Sequence, residues 1–249
     1  MIYFANPKSE YIFLKKKIDL KIKKILNSNS YILGNEVTKF ERKFSKFLGV
    51  KYSIGVSSGT DALVLALKTI NIKKGDEVLT TSHTAYATIA AIIESGATPV
   101  FVDIKESDFT IDVNDLKKKI TKRTKAIIAV HVYGNPADIT KLFTLAKEKK
   151  IILIEDCAQA HGAEFKRKKI GSFGDFACFS FYPTKNLSTF GDAGVVSTNN
   201  RKMYKKLKLY REYGWKKKNV AISKGYNKRL DEIHAGILNV KLDSLNKFN

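Results

Sequence analysis

Short apolar runs alternate along the chain with longer segments in which apolar residues recur every three or four positions. A short, bounded apolar run is typical of a buried strand, whereas the second spacing is typical of an amphipathic helix. Strands are therefore predicted at 52–56, 75–81, 99–103, 125–130, 151–154, 177–181 and 192–198. Helices are predicted at 10–26, 37–48, 61–70, 85–94, 113–120, 138–149, 200–213 and 229–245.

This alternation predicts the α/β class. Strands separated by helices at such intervals form a mostly parallel mixed sheet with helices on both faces, which is a three-layer α/β/α sandwich. No internal repeat or low-complexity linker interrupts the pattern, and the polar stretch 214–225 is predicted to be a loop. With 249 residues, one large domain can bury its own core.

The composition indicates where in the cell the protein is located and argues against a metal site and a membrane span. The two cysteines, Cys157 and Cys178, lie in apolar segments, which favours reduced thiols in a cytoplasmic protein. The histidines and cysteines lack the spacing of a metal site. No apolar run approaches the ~20 residues of a membrane helix. The chain is therefore predicted to be cytoplasmic, without a metal and without a membrane span.

The net charge of +21 would suit a nucleic-acid partner. The lysines, however, are scattered in small clusters, and arginine, which reads bases better, is sparse. This distribution favours a solvated lysine-rich surface. The excess charge would also help to attract an anionic substrate such as a sugar nucleotide.

An acid pair and an amine follow two of the predicted strands. Glu155 and Asp156 come directly after 151–154, and Lys185 comes shortly after 177–181. Open α/β sheets bind ligands at the carboxyl ends of their strands. An aspartate and a lysine placed there suit pyridoxal phosphate, because such enzymes form a Schiff base with a lysine and pair the pyridinium with an aspartate.

A second candidate site lies between the strand 52–56 and the helix 61–70. Ser58, Gly59 and Thr60 would place backbone donors and a hydroxyl at a helix N-terminus, which is a site for an anion such as phosphate. The segment lacks the Gly-Lys-Ser/Thr of a Walker loop. A serine or threonine that only caps the helix is the alternative.

Several separated segments agree, in order, with one known pattern. These segments include Gly-Asn-Glu-Val at 34–37, Ser-Gly-Thr at 58–60, Gly-Asp-Glu-Val at 75–78, Glu-Asp-Cys-Ala-Gln-Ala-His-Gly at 155–162, Phe-Ser-Phe at 179–181, Thr-Lys-Asn-Leu at 184–187 and Gly-Tyr-Asn at 225–227. In these segments the chain resembles the sugar aminotransferases of the DegT/DnrJ/EryC1/StrS family, which have the type I aspartate aminotransferase fold.

The resemblance implies pyridoxal 5'-phosphate as cofactor and a role for each matching residue. Lys185 would form the Schiff base and then move protons, and Asp156 would keep the pyridine nitrogen protonated. Gln159 would lie against the ring and Ala158 beneath it. The phosphate would be bound by Ser58, Gly59, Thr60 and Ser180. Asn227 would reach the phosphate in the neighbouring subunit, so a homodimer is expected.

The chain departs from the family pattern in two places. Ala85 stands where relatives usually carry an aromatic residue that stacks on the ring; His83 or Tyr86 would be the substitutes, and Tyr86 could equally be core. His131 and His161 are expected to pack or form hydrogen bonds. Relatives also continue into a C-terminal small domain. Residues 1–249 are thus expected to form the major domain, with 229–249 beginning the linker helix to a small domain that is largely absent.

The resemblance implies transfer of an amino group, from L-glutamate, to a nucleotide-linked keto sugar in amino-sugar biosynthesis for a surface polysaccharide or glycoconjugate. Three alternatives remain at this point. A truncated, inactive member of the family would only dimerise. A sugar dehydratase of the family would carry histidine in place of Lys185. A regulator or nucleic-acid-binding protein would use the positive charge. The sequence does not indicate which sugar or which carbon is aminated.

Overall fold

The computed structural model describes residues 5–249, so the first four residues of the predicted domain lie outside the described part. The helices are α1 Pro7–Leu26, α2 Asn35–Leu48, α3 Gly59–Thr69, α4 Tyr86–Ser95, α5 Val113–Lys119, α6 Ile139–Lys149, α7 Arg201–Arg211, α8 Glu232–Leu242 and α9 Leu245–Phe248. The strands are β1 Tyr52–Val56, β2 Glu77–Thr81, β3 Thr98–Val102, β4 Thr124–Val130, β5 Ile152–Asp156, β6 Glu164–Phe165, β7 Lys168–Lys169, β8 Phe176–Ser180, β9 Gly194–Thr198, β10 Trp215–Lys217 and β11 Val220–Ala221.

The main sheet has seven strands in the order β1-β9-β8-β5-β4-β2-β3. The pairs β2–β3, β2–β4, β4–β5 and β5–β8 are parallel. The pairs β1–β9 and β8–β9 are antiparallel, so β9 is the strand of this sheet that runs against the others. The predicted mostly parallel mixed sheet is therefore confirmed.

Helices cover both faces of the sheet. On one face, Leu65 of α3 and Ile92 of α4 pack with strand residues such as Val196 in one buried cluster. On the other face, α2 and α8 pack against β8 and β9, and α5 and α6 pack against β4 and β5, in two further clusters. Successive residues of a strand point to opposite faces, so Cys178 joins the first cluster and Phe179 the second. The three-layer sandwich is confirmed.

Three predicted elements need correction. The stretch 214–225 is not a plain loop, because β10 and β11 form a hairpin there with Asn219 in the left-handed region. Its lysine-rich strands are exposed and bury no face, so they carry no alternating pattern. Helix α3 begins two residues earlier than predicted, at Gly59. Strand β5 extends through Asp156, which pairs with both Val130 and Cys178.

The C-terminal segment also differs slightly from the single predicted helix. Helix α8 ends at Leu242, and the short α9 follows after Ser244. The expectation that 229–249 begins a link to a further domain stays a prediction.

Every helix within 5–249 is too short or too polar to cross a lipid bilayer. Cys157 and Cys178 are buried free thiols, as predicted.

Candidate active site

A cleft lies at the carboxyl ends of β4, β5 and β8, where the sequence places the acid and the amine. It consists of a cavity of about 260 Å³ on the side of His83 and Gln159 and one of about 220 Å³ on the side of Gly59 and Ser180. Both cavities are lined by Ala85, Asp156, Ala158 and Lys185. The larger cleft between α2, β1 and α7, about 760 Å³, contains none of the predicted site residues.

Asp156 is a buried carboxylate at the end of β5 with two neutral hydrogen-bond donors. Thr88 Oγ1 donates to Oδ2 at 2.8 Å, and the backbone N–H of Ala158 donates to Oδ1 at 3.1 Å. Burial raises the pKa of Asp156 above its ordinary value, against the opposing effect of these two hydrogen bonds. Among the described residues, no cation forms an ion pair with it. This carboxylate therefore lacks the positive partner that a buried anion needs.

Lys185 lies in the segment between β8 and β9 and faces the same cleft. Its backbone N–H donates to the carbonyl of Tyr182 at 2.9 Å, which forms a tight turn just before it. The side chain is half-buried, and burial lowers its pKa, while the charge of Asp156 acts in the opposite direction. A larger fraction of this amine is thus neutral and nucleophilic than of an exposed lysine.

The segment at the start of α3 forms a tight backbone cradle. Ser58 caps the helix, because its Oγ accepts a hydrogen bond from Asp61 N at 3.0 Å. The helix begins at Gly59, so its first N–H groups have no acceptor within the helix. A Cβ on Gly59 would lie 2.5 Å from Ser180 Cβ, so only glycine permits this approach. Gly59, Thr60 and Ser180 line the same cavity, while Ser58 also has the capping role that the sequence left open.

Gln159 and His83 line the other cavity. Gln159 Oε1 accepts a hydrogen bond from the backbone N–H of Tyr133 at 2.8 Å, which leaves its amide NH2 as a donor. The His83 ring contacts Tyr133, whose hydroxyl lies 3.3 Å from Nε2, and Phe109 at a centroid distance of 5.7 Å. Tyr86 is 75% exposed and lines neither cavity, so the alternative that placed it in the core is wrong.

Asn227 is the predicted site residue that the fold does not bring to this cleft. It is exposed, forms an isolated backbone bridge with Glu212, and lines neither cavity. Its neighbour Lys228 forms ion pairs with Asp61 of α3 and with Glu94 of α4. The segment around Asn227 is thus fixed near the start of α3 without entering the chain's own site.

Sequence reasoning missed the pair of threonines behind Asp156. Thr88 is fully buried, and its Oγ1 lies 2.8 Å from Thr84 Oγ1 as well as from Asp156 Oδ2. A hydroxyl has one proton, so Thr88 donates to the carboxylate and accepts from Thr84. Thr84 lies just before the N-cap Ala85 and Thr88 lies in the first turn of α4, so the two do not share a helix face and no sequence pattern marked them.

The neighbouring acid, Glu155, has a different environment. Its carboxylate accepts backbone N–H groups from Gly171, Phe173 and Gly174 at 2.9, 2.9 and 2.7 Å. His131 Nδ1 accepts from Ala137 N, so its proton is on Nε2, which lies 3.3 Å from Glu155 Oε2. Burial alone would raise the pKa of Glu155, but His131 and the N–H groups hold it below its ordinary value.

The two histidines have the packing and hydrogen-bonding roles expected of them. His131 lies fully buried between Ala137 and Glu155. His161 packs against Phe179 and Phe181 at centroid distances of 5.6 and 5.7 Å. Burial lowers the pKa of His161 to about 3, so its ring is neutral and part of the core.

The residues of the cleft fit pyridoxal phosphate. Asp156 is a buried anion that has no ion-pair partner within residues 5–249, and a protonated ring nitrogen would supply one. Lys185 offers a partly desolvated amine for an aldehyde. The start of α3, where Gly59 allows close approach, offers backbone N–H groups for a phosphate.

Known proteins resemble this chain in sequence. The DegT/DnrJ/EryC1/StrS aminotransferase family model matches residues 13–249. A relative from Aneurinibacillus thermoaerophilus, named dTDP-3-amino-3,6-dideoxy-alpha-D-galactopyranose transaminase, is 45% identical over 249 residues, which is 100% of this chain and 69% of the relative. Another from Streptomyces venezuelae, named dTDP-3-amino-3,4,6-trideoxy-alpha-D-glucose transaminase, is 42% identical over 246 residues, 99% of this chain and 65% of the relative.

A solved structure extends the agreement to the fold. The crystal structure of S. venezuelae DesV in complex with a ketimine intermediate matches with a TM-score of 0.97 at 41% identity, covering 99% of this chain and 66% of that one. The chain thus spans about two thirds of the length of these relatives. The predicted type I transferase fold is confirmed, and the chain belongs to the DegT/DnrJ/EryC1/StrS aminotransferase family.

Proposed function

We propose that the protein is a pyridoxal-phosphate-dependent aminotransferase that moves an amino group from L-glutamate to a nucleotide-linked keto sugar. The observation that carries the proposal is a single cleft shared by the half-buried amine of Lys185 and by Asp156, a buried carboxylate that no cation pairs with in the described part of the chain. The names of the two relatives, both transaminases of dTDP-linked sugars, support the reaction and the substrate class.

The cofactor, when bound, supplies an aldehyde that condenses with amines and a ring that takes up the electrons released when a C–H bond breaks. Lys185 would hold the cofactor covalently and, when freed from it, would move the proton between carbon atoms. Asp156 would keep the ring nitrogen protonated, because that cation would stabilise its buried charge. Gln159 and Ala158 would contact the ring.

The phosphate would be bound by the start of α3. The N–H groups at Gly59 and Thr60, together with the hydroxyls of Thr60 and Ser180, form a donor set that suits a dianion at a helix N-terminus. Ser58 contributes by capping the helix and fixing the direction of these donors. Asp61 is paired with Lys228, so its negative charge is compensated next to the bound phosphate.

The active unit would be a homodimer. Asn227 is exposed and outside its own cleft, which supports the expectation that it contacts the phosphate in the neighbouring subunit. The free thiols of Cys157 and Cys178 support a reducing, cytoplasmic location.

The first test is the visible absorbance band of a lysine Schiff base after pyridoxal phosphate is added to the purified chain. We expect the band in the wild type, its loss in Lys185→Ala, and its retention in Lys205→Ala, which changes an exposed lysine of α7. A folded wild type that gives no band would exclude the proposal.

A second test identifies the acceptor. The loaded protein is incubated with glutamate and a panel of keto sugar nucleotides, and the products are read by mass spectrometry.

A further inference from the structure

The segment that carries Lys185 packs against helix α8. We call residues 182–193, between β8 and β9, the lysine loop. A backbone hydrogen bond from Phe181 N to the Ala193 carbonyl, at 2.8 Å, joins its two ends, and another from Thr189 N to the Phe181 carbonyl, at 2.9 Å, ties its middle to its start. Ser188 and Thr189 in its middle are buried, with exposures of 1% and 0%. Both hydroxyls point away from solvent and contact side chains of α8.

Lys241 of α8 makes the first contact. Its side chain is fully buried, a position at which a lysine needs hydrogen-bonded partners. Nζ lies 2.6 Å from Glu10 Oε2 of α1 and 3.1 Å from Ser188 Oγ, and it also lies 4.8 Å from the ring centroid of Phe190. Two of its three partners therefore belong to the lysine loop, although the pair with Glu10 alone would satisfy its charge.

His234 makes the second contact, two turns earlier on the same face of α8. Its Nδ1 lies 2.8 Å from Thr189 Oγ1. The loop backbone also passes close to the imidazole, because a Cβ on Gly191 would lie 2.9 Å from His234 Cε1. Burial lowers the pKa of His234, so the ring is neutral and the contact is an ordinary hydrogen bond. Helix α8 thus contacts the loop at Ser188, Thr189 and Phe190, and the loop backbone at Gly191 passes close to it.

We propose that Lys241 and His234 are positioning residues that hold the lysine loop through Ser188 and Thr189, so that Lys185 presents its amine to the cleft. Other contacts fix neighbouring parts of the loop, because Leu187 is fully buried in the core and Asn186 Nδ2 donates to Asn249 Oδ1 at 2.9 Å. Tyr182 and Thr184, which precede Lys185, are exposed. The consequence for catalysis rests on the proposed function, whereas the consequence for loop order does not.

The direct test removes the two loop hydroxyls and leaves the Lys241–Glu10 pair in place. In Ser188→Ala/Thr189→Val, we expect amide hydrogen exchange across 184–192 to rise roughly tenfold, because two buried hydrogen bonds are lost. The rate of Schiff-base formation with pyridoxal phosphate should fall by a similar factor. The matched control is Ser53→Ala, which removes a buried hydroxyl contact of 2.8 Å to Ser197, away from the cleft. The conservative variant Thr189→Ser keeps its hydroxyl and should behave as wild type.

The outcomes separate three cases. Faster exchange confined to 184–192, with a slower Schiff base, supports the proposal. Exchange and Schiff-base rates equal to those of Ser53→Ala would overturn it, and so would a uniform rise across the whole chain, which indicates general destabilisation. If exchange rises in the loop but even the wild type forms no Schiff base, the anchoring of the loop is supported and only the aminotransferase function fails.

Discussion

The two faces of strand β5 hold neighbouring carboxylates in opposite ways. Glu155 points toward the loop at 171–174, where three backbone N–H groups and His131 surround it and keep its pKa low. Asp156 points toward the cleft, where two neutral donors do not offset its burial and its pKa is raised. The lysines show the same contrast, because Lys241 is paired with Glu10 while Lys185 has no ion-pair partner in the described part of the chain.

This difference distinguishes buried charges that stabilise the fold from buried charges that await a ligand. A buried ion whose partners come from the same chain is part of the fold, and its removal is felt as instability. A buried ion without such partners lowers stability unless a ligand compensates it, so its retention in a cleft indicates a binding site. Substitutions on the two faces of β5 should therefore affect different measurements.

Glu155→Ala should give the largest loss of stability. It leaves three buried N–H groups and His131 without their acceptor, which costs about 3–5 kcal/mol in the free energy of unfolding. Because the pKa of Glu155 is lowered on folding, its contribution is fully present above the unfolded pKa of about 4.3 and is lost as the pH falls through the folded pKa. Urea denaturation of the wild type and variant between neutral and acidic pH measures this; an unchanged midpoint at pH 7 would contradict it.

Asp156→Asn should reduce activity without reducing stability. Without cofactor, the variant should be at least as stable as wild type at pH 7, because it removes a desolvated carboxylate. The pKa of Asp156 is raised on folding, so the penalty in the wild type disappears as the pH falls below about 4 and the two proteins converge. Turnover should fall by about 10²–10³-fold, since the charge next to the ring is lost. An Asp156→Asn variant that is less stable than wild type but retains its activity would contradict the proposed difference between Glu155 and Asp156.

Gly59→Ala tests the cradle on the phosphate side of the cleft. The new methyl would lie 2.5 Å from Ser180 Cβ, so the start of α3 must shift. Such overpacking costs about 1–3 kcal/mol, and cofactor affinity should fall more than stability does, because the displaced N–H groups are the phosphate donors. Thermal unfolding and a cofactor titration distinguish the two effects. Thr60→Val keeps the backbone and removes the hydroxyl, so it measures how much that hydroxyl contributes to cofactor affinity.

Thr88→Val should produce the smallest effect and the most specific one. It keeps the shape of the side chain and removes the donor to Asp156, a hydrogen bond to a charged group worth about 1.5–3 kcal/mol, part of which other donors restore. The pKa of Asp156 should rise further, and cofactor affinity should fall by roughly fivefold to tenfold at pH 7. Thr88→Ser retains the donor and serves as the control. Equal affinity in Thr88→Val and Thr88→Ser would show that the donor is unimportant.

Local patterns were enough to predict most of the fold. Apolar spacing placed the sheet strands and their covering helices within a few residues, because each of these elements buries one or two faces. The hairpin of β10 and β11 buries neither face and therefore left no such pattern. Asp156 and Lys185 were found because both follow strands whose carboxyl ends meet at one edge of the sheet.

What could not be predicted depends on contacts between distant segments. Thr88 reaches Asp156 across 68 positions, and Lys241 reaches Ser188 across 53. In the sequence, Thr88 and Lys241 look like ordinary helix residues. Only the folded chain shows which residues they contact. The capping role of Ser58 is the opposite case, since the acceptor and donor are three residues apart and the sequence already included it as an alternative.

The packing of α1 on α8 has a consequence for synthesis on the ribosome. Leu14 and Ile18 of α1 pack against Ile237 of α8, and Glu10 reaches Lys241 across 231 positions. At roughly 5–20 residues per second, about 10–45 s pass between the emergence of one partner and that of the other. During that interval the apolar side of the first helix is open to chaperones and to other nascent chains. The late contact between α1 and α8 therefore determines how long the apolar side of α1 stays exposed on the nascent chain.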